Sequence, residues 1–185
     1  MFTHLNGKRV VIFGGSGFIG NHLVNKLCQQ SCQIKIISRN PDTKKNSFFS
    51  SEPGQVSVSK IDEYNEENIK KNLIGADIVI NLIGILYESK NSKFNFTHIE
   101  IPKLIAKTAK YCKVQAFIHL SALNVEKSQN SLYATSKLMG ENAVNSFFPN
   151  AVILKPSVVF GKGDNFTNLF SKISRFSPFI PIIGT

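Results

Sequence analysis

The sequence contains no tryptophan and only three cysteines, Cys28, Cys32 and Cys112. An odd number of cysteines favours reduced thiols over a framework of disulfides. Cys28 and Cys32 are four residues apart, but no further ligand lies near them, so we expect packed thiols and no metal site. The four histidines also lack the spacing of metal ligands. His119 lies in an apolar run, where we expect it to be packed or hydrogen-bonded.

A long apolar run and a leader segment are also missing. No run approaches the roughly 20 residues that a membrane-spanning helix requires. Only residues 1–8 precede the first apolar run, too few for a signal or transit peptide. These absences predict a chain that does not cross a membrane and works in the bacterial cytoplasm, or in a compartment where synthesis and use coincide.

Acidic residues are scarce, with 12 against 22 basic residues, which gives a net charge of +10. The excess is mostly lysine and is spread along the chain. It leaves three alternatives open: an anionic ligand or acidic partner, an anionic membrane face, or a simple bias of composition. No basic helix with interleaved aromatic residues occurs, and we therefore expect no nucleic acid as a partner.

Short apolar runs alternate with amphipathic patterns along the chain. The runs predict strands at residues 9–13, 34–37, 56–61, 78–83, 116–121 and 151–154. Helical spacing predicts helices near residues 18–27, 69–73, 97–109, 131–148 and 166–173. Such alternation predicts an α/β fold: a Rossmann-type, doubly wound parallel sheet with helices on both faces in three αβα layers. We expect a single domain over residues 1–185, with a mobile polar loop at residues 42–55.

The third helix carries a sequence signal for its first turn. Thr97 and Glu100 have the spacing of a capping box, in which each side chain bonds the other residue's backbone N–H. Pro102 follows early in the same helix and should kink it or shift its start. The pattern therefore predicts that the helix opens at Thr97.

A glycine-rich turn follows the first strand directly and opens the first helix. It consists of Gly14, Gly15, Ser16, Gly17, Phe18, Ile19 and Gly20. Gly14 would let the chain turn tightly, Gly15 and Gly17 would let the backbone approach a pyrophosphate, and Gly20 would let the helix pack on the sheet. The N–H groups of the helix N-terminus would then face the phosphates. This strand, turn and helix context predicts a dinucleotide site.

The residues after the second strand indicate which dinucleotide binds. NAD-binding sites carry an acidic residue about 20 residues after the glycines, but none occurs from residue 31 to 41. Arg39 stands there and could bind a 2′-phosphate through two hydrogen bonds, although a solvated arginine is the alternative. Asp62, after the third strand, is a candidate acceptor for the adenine amino group. We therefore expect NADP(H) in preference to NAD(H).

A serine, a tyrosine and a lysine form a candidate catalytic group. Tyr133 and Lys137 are four residues apart on one helix face, and Ser121 ends a predicted strand, where open α/β sheets place their sites. A lysine charge about 4 Å away is worth roughly 4 kcal/mol at an effective dielectric near 20, or about three pKa units. Lys137 would thus lower the pKa of Tyr133 into the range of an acid/base catalyst, and Ser121 would hydrogen-bond a reacting carbonyl or hydroxyl.

Together these motifs resemble the short-chain dehydrogenase/reductase superfamily. More narrowly, they resemble its atypical extended, epimerase/dehydratase-like members related to the NAD(P)-binding accessory subunit of respiratory complex I. The matching segments are residues 11–20, 79–86, 119–123, 133–141 and 153–161. The resemblance implies catalytic positions at Ser121, Tyr133 and Lys137. It also implies cofactor contacts, beyond the glycine-rich turn, Arg39 and Asp62, at Leu82, Ile83, Gly84, Tyr133, Lys137, Pro156 and Val158.

The sequence also departs from the family pattern. Phe13 stands where threonine is typical, Lys155 where arginine is usual, and only 12 positions separate Ser121 from Tyr133. The short spacing suits the complex I-like branch, and the family's C-terminal substrate lobe is expected to be absent. The resemblance implies an NAD(P)(H)-binding structural or assembly protein that docks on complex I at the inner face of the plasma membrane. The alternatives are an oxidoreductase or nucleotide-sugar epimerase/dehydratase, and a non-functional fragment of a split gene.

Overall fold

The predicted alternation of strands and helices is confirmed in the computed structural model, which describes residues 5–40, 52–128 and 130–164. These residues form, in chain order, β1 (Arg9–Phe13), α1 (Phe18–Leu27), β2 (Gln33–Ser38), β3 (Val56–Lys60), α2 (Glu66–Leu73), β4 (Ile78–Asn81), a π-helix (Asn95–Glu100), α3 (Ile101–Tyr111), β5 (Ala116–Leu120), α4 (Leu132–Phe147) and β6 (Val152–Leu154). The predicted helix at residues 166–173, and the predicted loop up to residue 51, lie outside the described residues.

The strands form one parallel sheet in the order β3-β2-β1-β4-β5-β6. The order reverses between β1 and β4, which are neighbours at the centre although β2 and β3 separate them in the chain. Ligands of open α/β sheets bind outside the carboxyl ends of the strands at such a reversal. The glycine-rich turn follows β1 and the segment 82–84 follows β4, so the fold brings both predicted cofactor segments to this point.

Helices cover both faces of the sheet, as predicted. Successive side chains of a strand point to opposite faces. Val11 and Phe13 therefore pack with α2, α3 and α4 on one face, and Val10 and Ile12 pack with α1 on the other. All four side chains are fully buried. β1 thus reads as a continuous apolar run because helices cover it on both sides.

β4 is shorter than its apolar run predicted. It ends at Asn81 rather than at residue 83, because the Asn81 side-chain oxygen accepts the Ile83 N–H at 3.1 Å and turns the chain. The start of α4 agrees with the prediction, since the Ser131 hydroxyl caps the helix by accepting the Ala134 N–H at 3.3 Å.

The predicted start of the third helix at a capping box is wrong. Thr97 lies inside the π-helix, and its N–H donates to the Lys93 carbonyl at 2.9 Å. The Ile101 N–H donates to the Phe96 carbonyl, a step of five residues instead of four. Pro102 has no N–H, so an α-helical bond to the carbonyl four residues earlier cannot form. Pro102 therefore widens the helix rather than setting where it begins.

A close backbone contact accounts for Gly140 in α4. His98 lies four residues before Pro102, which has no N–H to donate to the His98 carbonyl. That carbonyl oxygen points directly at the backbone of Gly140. A Cβ atom at position 140 would collide with that oxygen, and backbone on both sides leaves little room to move. Gly140 therefore lets α4 pack closely against the π-helix. Alanine has the higher helix propensity, so glycine at this position reflects the close contact.

Gly140→Ala should lower the free energy of unfolding by about 2 kcal/mol or more, because overpacking outweighs the roughly 1 kcal/mol that alanine contributes in a helix. Urea unfolding followed by circular dichroism measures the change. The matched control is Asn142→Ala, at an exposed position of the same helix, where we expect no loss. A stabilised Gly140→Ala protein would contradict the close approach.

Candidate functional site

The glycine-rich turn packs tightly between β1, β4 and α1. Gly14 has a φ of +76° and a Cβ there would lie 3.1 Å from the Leu82 backbone. A Cβ at Gly20 would lie 2.5 Å from the Gly15 backbone. Both positions therefore need glycine, one for its left-handed conformation and close approach, the other so that α1 can sit on the turn. These contacts agree with the predicted roles of Gly14 and Gly20.

Gly15 has a different role from the predicted one. It is buried, and a Cβ there would lie 3.0 Å from Ile36 and 3.2 Å from Ile12, both side chains of the sheet. Its small size therefore serves packing against β1 and β2. Gly17, in contrast, is exposed, and a Cβ there would lie 3.3 Å from the Gly14 carbonyl oxygen.

The N-terminus of α1 has no side-chain cap. Gly17 occupies the capping position, and the first turn contains no acidic residue. The first N–H groups of a helix need an acceptor from outside the helix. A pyrophosphate supplies such acceptors and matches the positive end of the helix dipole. The residues at this turn therefore fit a dinucleotide.

Basic residues gather at the carboxyl ends of β2 and β3. Arg39 follows β2 and is exposed. Lys60, at the end of β3, is paired with Ser38 of β2 in the sheet and forms an ion pair with Asp62 at 2.6 Å. Asp62, the predicted adenine acceptor, thus has a cation beside it. The Ser16 and Ser38 hydroxyls, 2.8 Å apart, link this edge to the glycine-rich turn.

Lys137 is buried at the first turns of α4. Its Nζ donates to the Leu120 carbonyl at 2.6 Å. Burial lowers the pKa of Lys137 to about 8, although the charge of Glu141 opposes the shift. The ammonium group thus lies beside the carboxyl end of β5.

Tyr133 does not behave as the spacing predicted. Its ring packs edge-on against Phe94 and His98, at centroid distances of 5.9 and 5.5 Å. Burial raises the pKa of Tyr133, and no charge offsets it. The predicted lowering by Lys137 is wrong for this arrangement, because desolvation of the phenol sets the direction of the shift.

Ser121 is also engaged within the protein. Its hydroxyl donates to the buried carboxylate of Glu141, and Glu141 forms an ion pair with Lys155 at 2.9 Å. A hydrogen bond to Glu141 raises the pKa of Lys155. Sequence reasoning missed Glu141 as a site residue. The available signal was its spacing, four residues after Lys137 on one helix face.

Two buried histidines hold the segment after β4. His119 is hydrogen-bonded to the Asn81 side chain at 3.1 Å, as expected for a packed histidine. His98 was not predicted. Its Nε2 accepts the Ile85 N–H at 3.1 Å, and its Nδ1 lies 2.8 Å from the Ser136 hydroxyl. Burial, with Lys137 nearby, lowers the pKa of His98 to about 4 and that of His119 to about 3.

The segment after β6 closes the site on the α1 side. The Pro156 carbonyl accepts the Leu123 N–H at 2.9 Å, and Val158 is 60% exposed. A hollow of about 390 Å³ lies between this segment and α1, lined by Phe18, Ile19, His22, Leu23, Val159 and Phe160. The predicted cofactor residues therefore all lie along the carboxyl edge of the sheet.

Across residues 5–40, 52–128 and 130–164, no three histidine, cysteine or acidic side chains cluster as metal ligands would. Within those same ranges, every helix is too short or too polar to cross a membrane.

Comparison with known proteins gives family and fold. Residues 6–144 match the model of the NmrA-like family. The chain is 34% identical over 184 residues to "NADH dehydrogenase [ubiquinone] 1 alpha subcomplex subunit 9, mitochondrial" of Mus musculus, covering 98% of this chain and 48% of that protein. It is 28% identical to the "Ceramide reductase" of Caulobacter vibrioides (strain NA1000 / CB15N), covering 95% of this chain and 54% of that protein. The chain thus spans about half the length of these relatives.

A solved structure supports the same fold. The UDP-glucuronic acid 4-epimerase from Bacillus cereus in complex with NAD superimposes with a TM-score of 0.69 at 24% identity, covering 90% of this chain and 64% of that chain. At this identity the similarity establishes the fold.

The two histidines should make stability depend on pH. Their pKa values lie below the ordinary value of 6.5 in the folded chain, so the unfolded chain binds more protons between pH 6.5 and about 4. The contribution of the two histidines to stability is therefore present above their ordinary pKa of 6.5 and is lost as the pH decreases. The slope approaches about 1.4 kcal/mol per pH unit for each histidine.

Urea unfolding at intervals from pH 7.5 to 5.0 measures this slope above the range of most carboxyl groups. His98→Gln should reduce it by the contribution of one histidine. A free energy of unfolding that is constant over this range would contradict the buried, neutral histidines.

Proposed function

The chain belongs to the NmrA-like family, and from this membership and the geometry of its site we propose that it is a nicotinamide-dinucleotide-binding accessory protein of a respiratory NADH dehydrogenase. The observation that carries the proposal is the uncapped N-terminus of α1, which opens at the carboxyl edge of the sheet beside Gly17. The relative from Mus musculus, named as a subunit of such a dehydrogenase, supports the choice of partner.

The dinucleotide would lie across the central strands. Its phosphates would contact the glycine-rich turn at Gly14, Ser16, Gly17, Phe18 and Ile19. Its nicotinamide would lie beside Leu82, Ile83, Gly84, Pro156 and Val158, and the adjoining ribose would contact Tyr133 and Lys137. Its adenosine would lie beside Arg39 and Asp62. Gly15 supports the turn by packing on the sheet. A bound nicotinamide dinucleotide supplies hydride-transfer chemistry.

Charge at the adenosine side favours NADP(H) over NAD(H). Arg39 is exposed at the end of β2, where its planar group can pair with a phosphate through two hydrogen bonds. Lys60 at the adjacent strand end offsets the carboxylate of Asp62, so that the charge of Arg39 is not cancelled by that acid. A 2′-phosphate would therefore meet a positive environment.

The internal contacts of the candidate catalytic group favour a structural role for the dinucleotide. Ser121 donates to Glu141, Lys137 donates to the Leu120 carbonyl, and the pKa of Tyr133 is raised. A tyrosine acid/base needs its pKa moved towards neutrality, and burial moves it the other way.

An oxidoreductase is the second candidate. Ser121, Tyr133 and Lys137 lie at one edge of the sheet, and the relative from Caulobacter vibrioides is named as a reductase. NADPH oxidation with a panel of carbonyl compounds or nucleotide sugars separates the two candidates. Turnover that Tyr133→Phe abolishes would favour the enzyme over the accessory protein.

Arg39→Ala should weaken NADPH binding at least about 10-fold and leave NADH binding nearly unchanged, because it removes a charge-assisted contact to the 2′-phosphate alone. Titrations followed by nicotinamide fluorescence give both dissociation constants. Lys26→Ala is the control, since Lys26 is an exposed cation in the last turn of α1, at the other end of that helix. Equal weakening of both nucleotides would contradict the preference.

The tagged chain should co-purify with respiratory membranes and migrate with NADH dehydrogenase activity on a native gel after mild detergent extraction. This outcome follows if the chain docks at the inner face of the membrane as a peripheral protein. Extracts of an untagged strain are the control. A chain recovered only in the soluble fraction would contradict the proposed partner.

A further inference from the structure

The π-helix carries a histidine into the wall of the site. A π turn contains an extra residue, which rotates the side chains that follow it relative to an α-helix. His98 lies in this turn and is 1% exposed. Its ring stacks on Phe94 with centroids 5.1 Å apart and meets Tyr133 edge-on. Nothing in the predicted cofactor or catalytic set required a buried imidazole at this point.

The hydrogen bonds of His98 determine which of its ring nitrogens carries the proton. Its Nε2 accepts the Ile85 N–H at 3.1 Å, so that nitrogen carries no proton. In the neutral ring the proton is then on Nδ1, which donates to the Ser136 hydroxyl at 2.8 Å. Ser136 in turn donates to the Tyr133 carbonyl at 2.8 Å. The chain of bonds therefore joins the segment after β4 to the first turn of α4.

Both ends of this chain belong to the proposed cofactor site. Gly84 lies between them: a Cβ there would lie 3.8 Å from the His98 Nε2 and 3.9 Å from the Lys137 Nζ. The imidazole and the ammonium thus approach the same backbone segment. Ile85 follows Gly84 directly, and Ser136 lies between Tyr133 and Lys137 in α4. A change in the His98 contacts would move the segment after β4 relative to the first turn of α4.

We propose that His98 is a positioning residue that sets the distance between the segment after β4 and the first turn of α4, and so shapes the nicotinamide side of the site. The proposal rests on the dinucleotide binding proposed above. The contacts of His98 described above are with Phe94, Ile85, Tyr133 and Ser136, whereas the glycine-rich turn would hold the phosphates. Loss of its contacts should therefore affect the nicotinamide half of the ligand and spare the adenosine and phosphate half.

The test compares two ligands that differ only in the nicotinamide. NADPH contains it, and 2′-phospho-ADP-ribose lacks it. His98→Phe keeps the aromatic stack on Phe94 and removes both hydrogen bonds. We expect it to weaken NADPH binding about 10-fold and 2′-phospho-ADP-ribose binding less than about 2-fold, because the segment after β4 that His98 holds would contact the nicotinamide side of the ligand. His98→Gln, whose amide oxygen can accept the Ile85 N–H, should recover most of the NADPH affinity.

Two further variants keep the result decisive. Ser136→Ala removes the other link of the chain and should show the same selective loss, including in the case that His98→Phe does not fold. Val144→Ala removes buried side-chain atoms elsewhere in α4 and should lower stability without separating the two ligands.

The proposal is overturned if His98→Phe and Ser136→Ala weaken both ligands equally, if neither weakens NADPH, or if Val144→Ala gives the same separation. Failure of the proposed function has a different signature. In that case the unaltered chain binds neither NADPH nor 2′-phospho-ADP-ribose.

Discussion

A backbone hydrogen bond at the centre of the sheet joins the two strands that carry the candidate cofactor site. The Leu82 N–H donates to the Phe13 carbonyl at 2.9 Å, just past the last paired residues of β4 and β1. It continues the parallel ladder of these strands at the point where the strand order reverses. Because of it, the Gly14 turn and the segment after β4 face each other across a narrow gap. The predicted cofactor segments after β1 and β4 lie on either side of that gap.

Burial of polar groups determines the character of the site. Glu141 lies among Ser121, Lys155 and Lys137, and each of these groups offsets part of its desolvation. The two histidines remain neutral because burial and the nearby Lys137 disfavour a second positive charge. Buried groups that are hydrogen-bonded to one another in this way hold each other in place.

The internal pairing of these side chains suits the accessory role proposed above, in which a dinucleotide is held without being consumed. The groups that an enzyme of this type would direct at a substrate are directed here at Glu141 and at the Leu120 carbonyl. The uncapped helix N-terminus, in contrast, offers its N–H groups to an external anion. Binding is therefore better supported by the geometry than catalysis is, and the similarity to a dehydrogenase subunit agrees with it.

The sequence by itself determined the strands, the glycine-rich turn and the placement of Ser121, Tyr133 and Lys137 at one edge. Apolar periodicity and the spacing of small residues are local features of the sequence, and the parallel fold determines where these residues lie in the sheet. The sequence did not reveal the π-helix or the site roles of His98 and Glu141. It also did not reveal the direction in which the pKa of Tyr133 shifts. These depend on which groups approach each other from distant segments, as the His98 carbonyl approaches Gly140. Only the tertiary structure decides such distances, and with them burial, hydrogen-bond partners and charge.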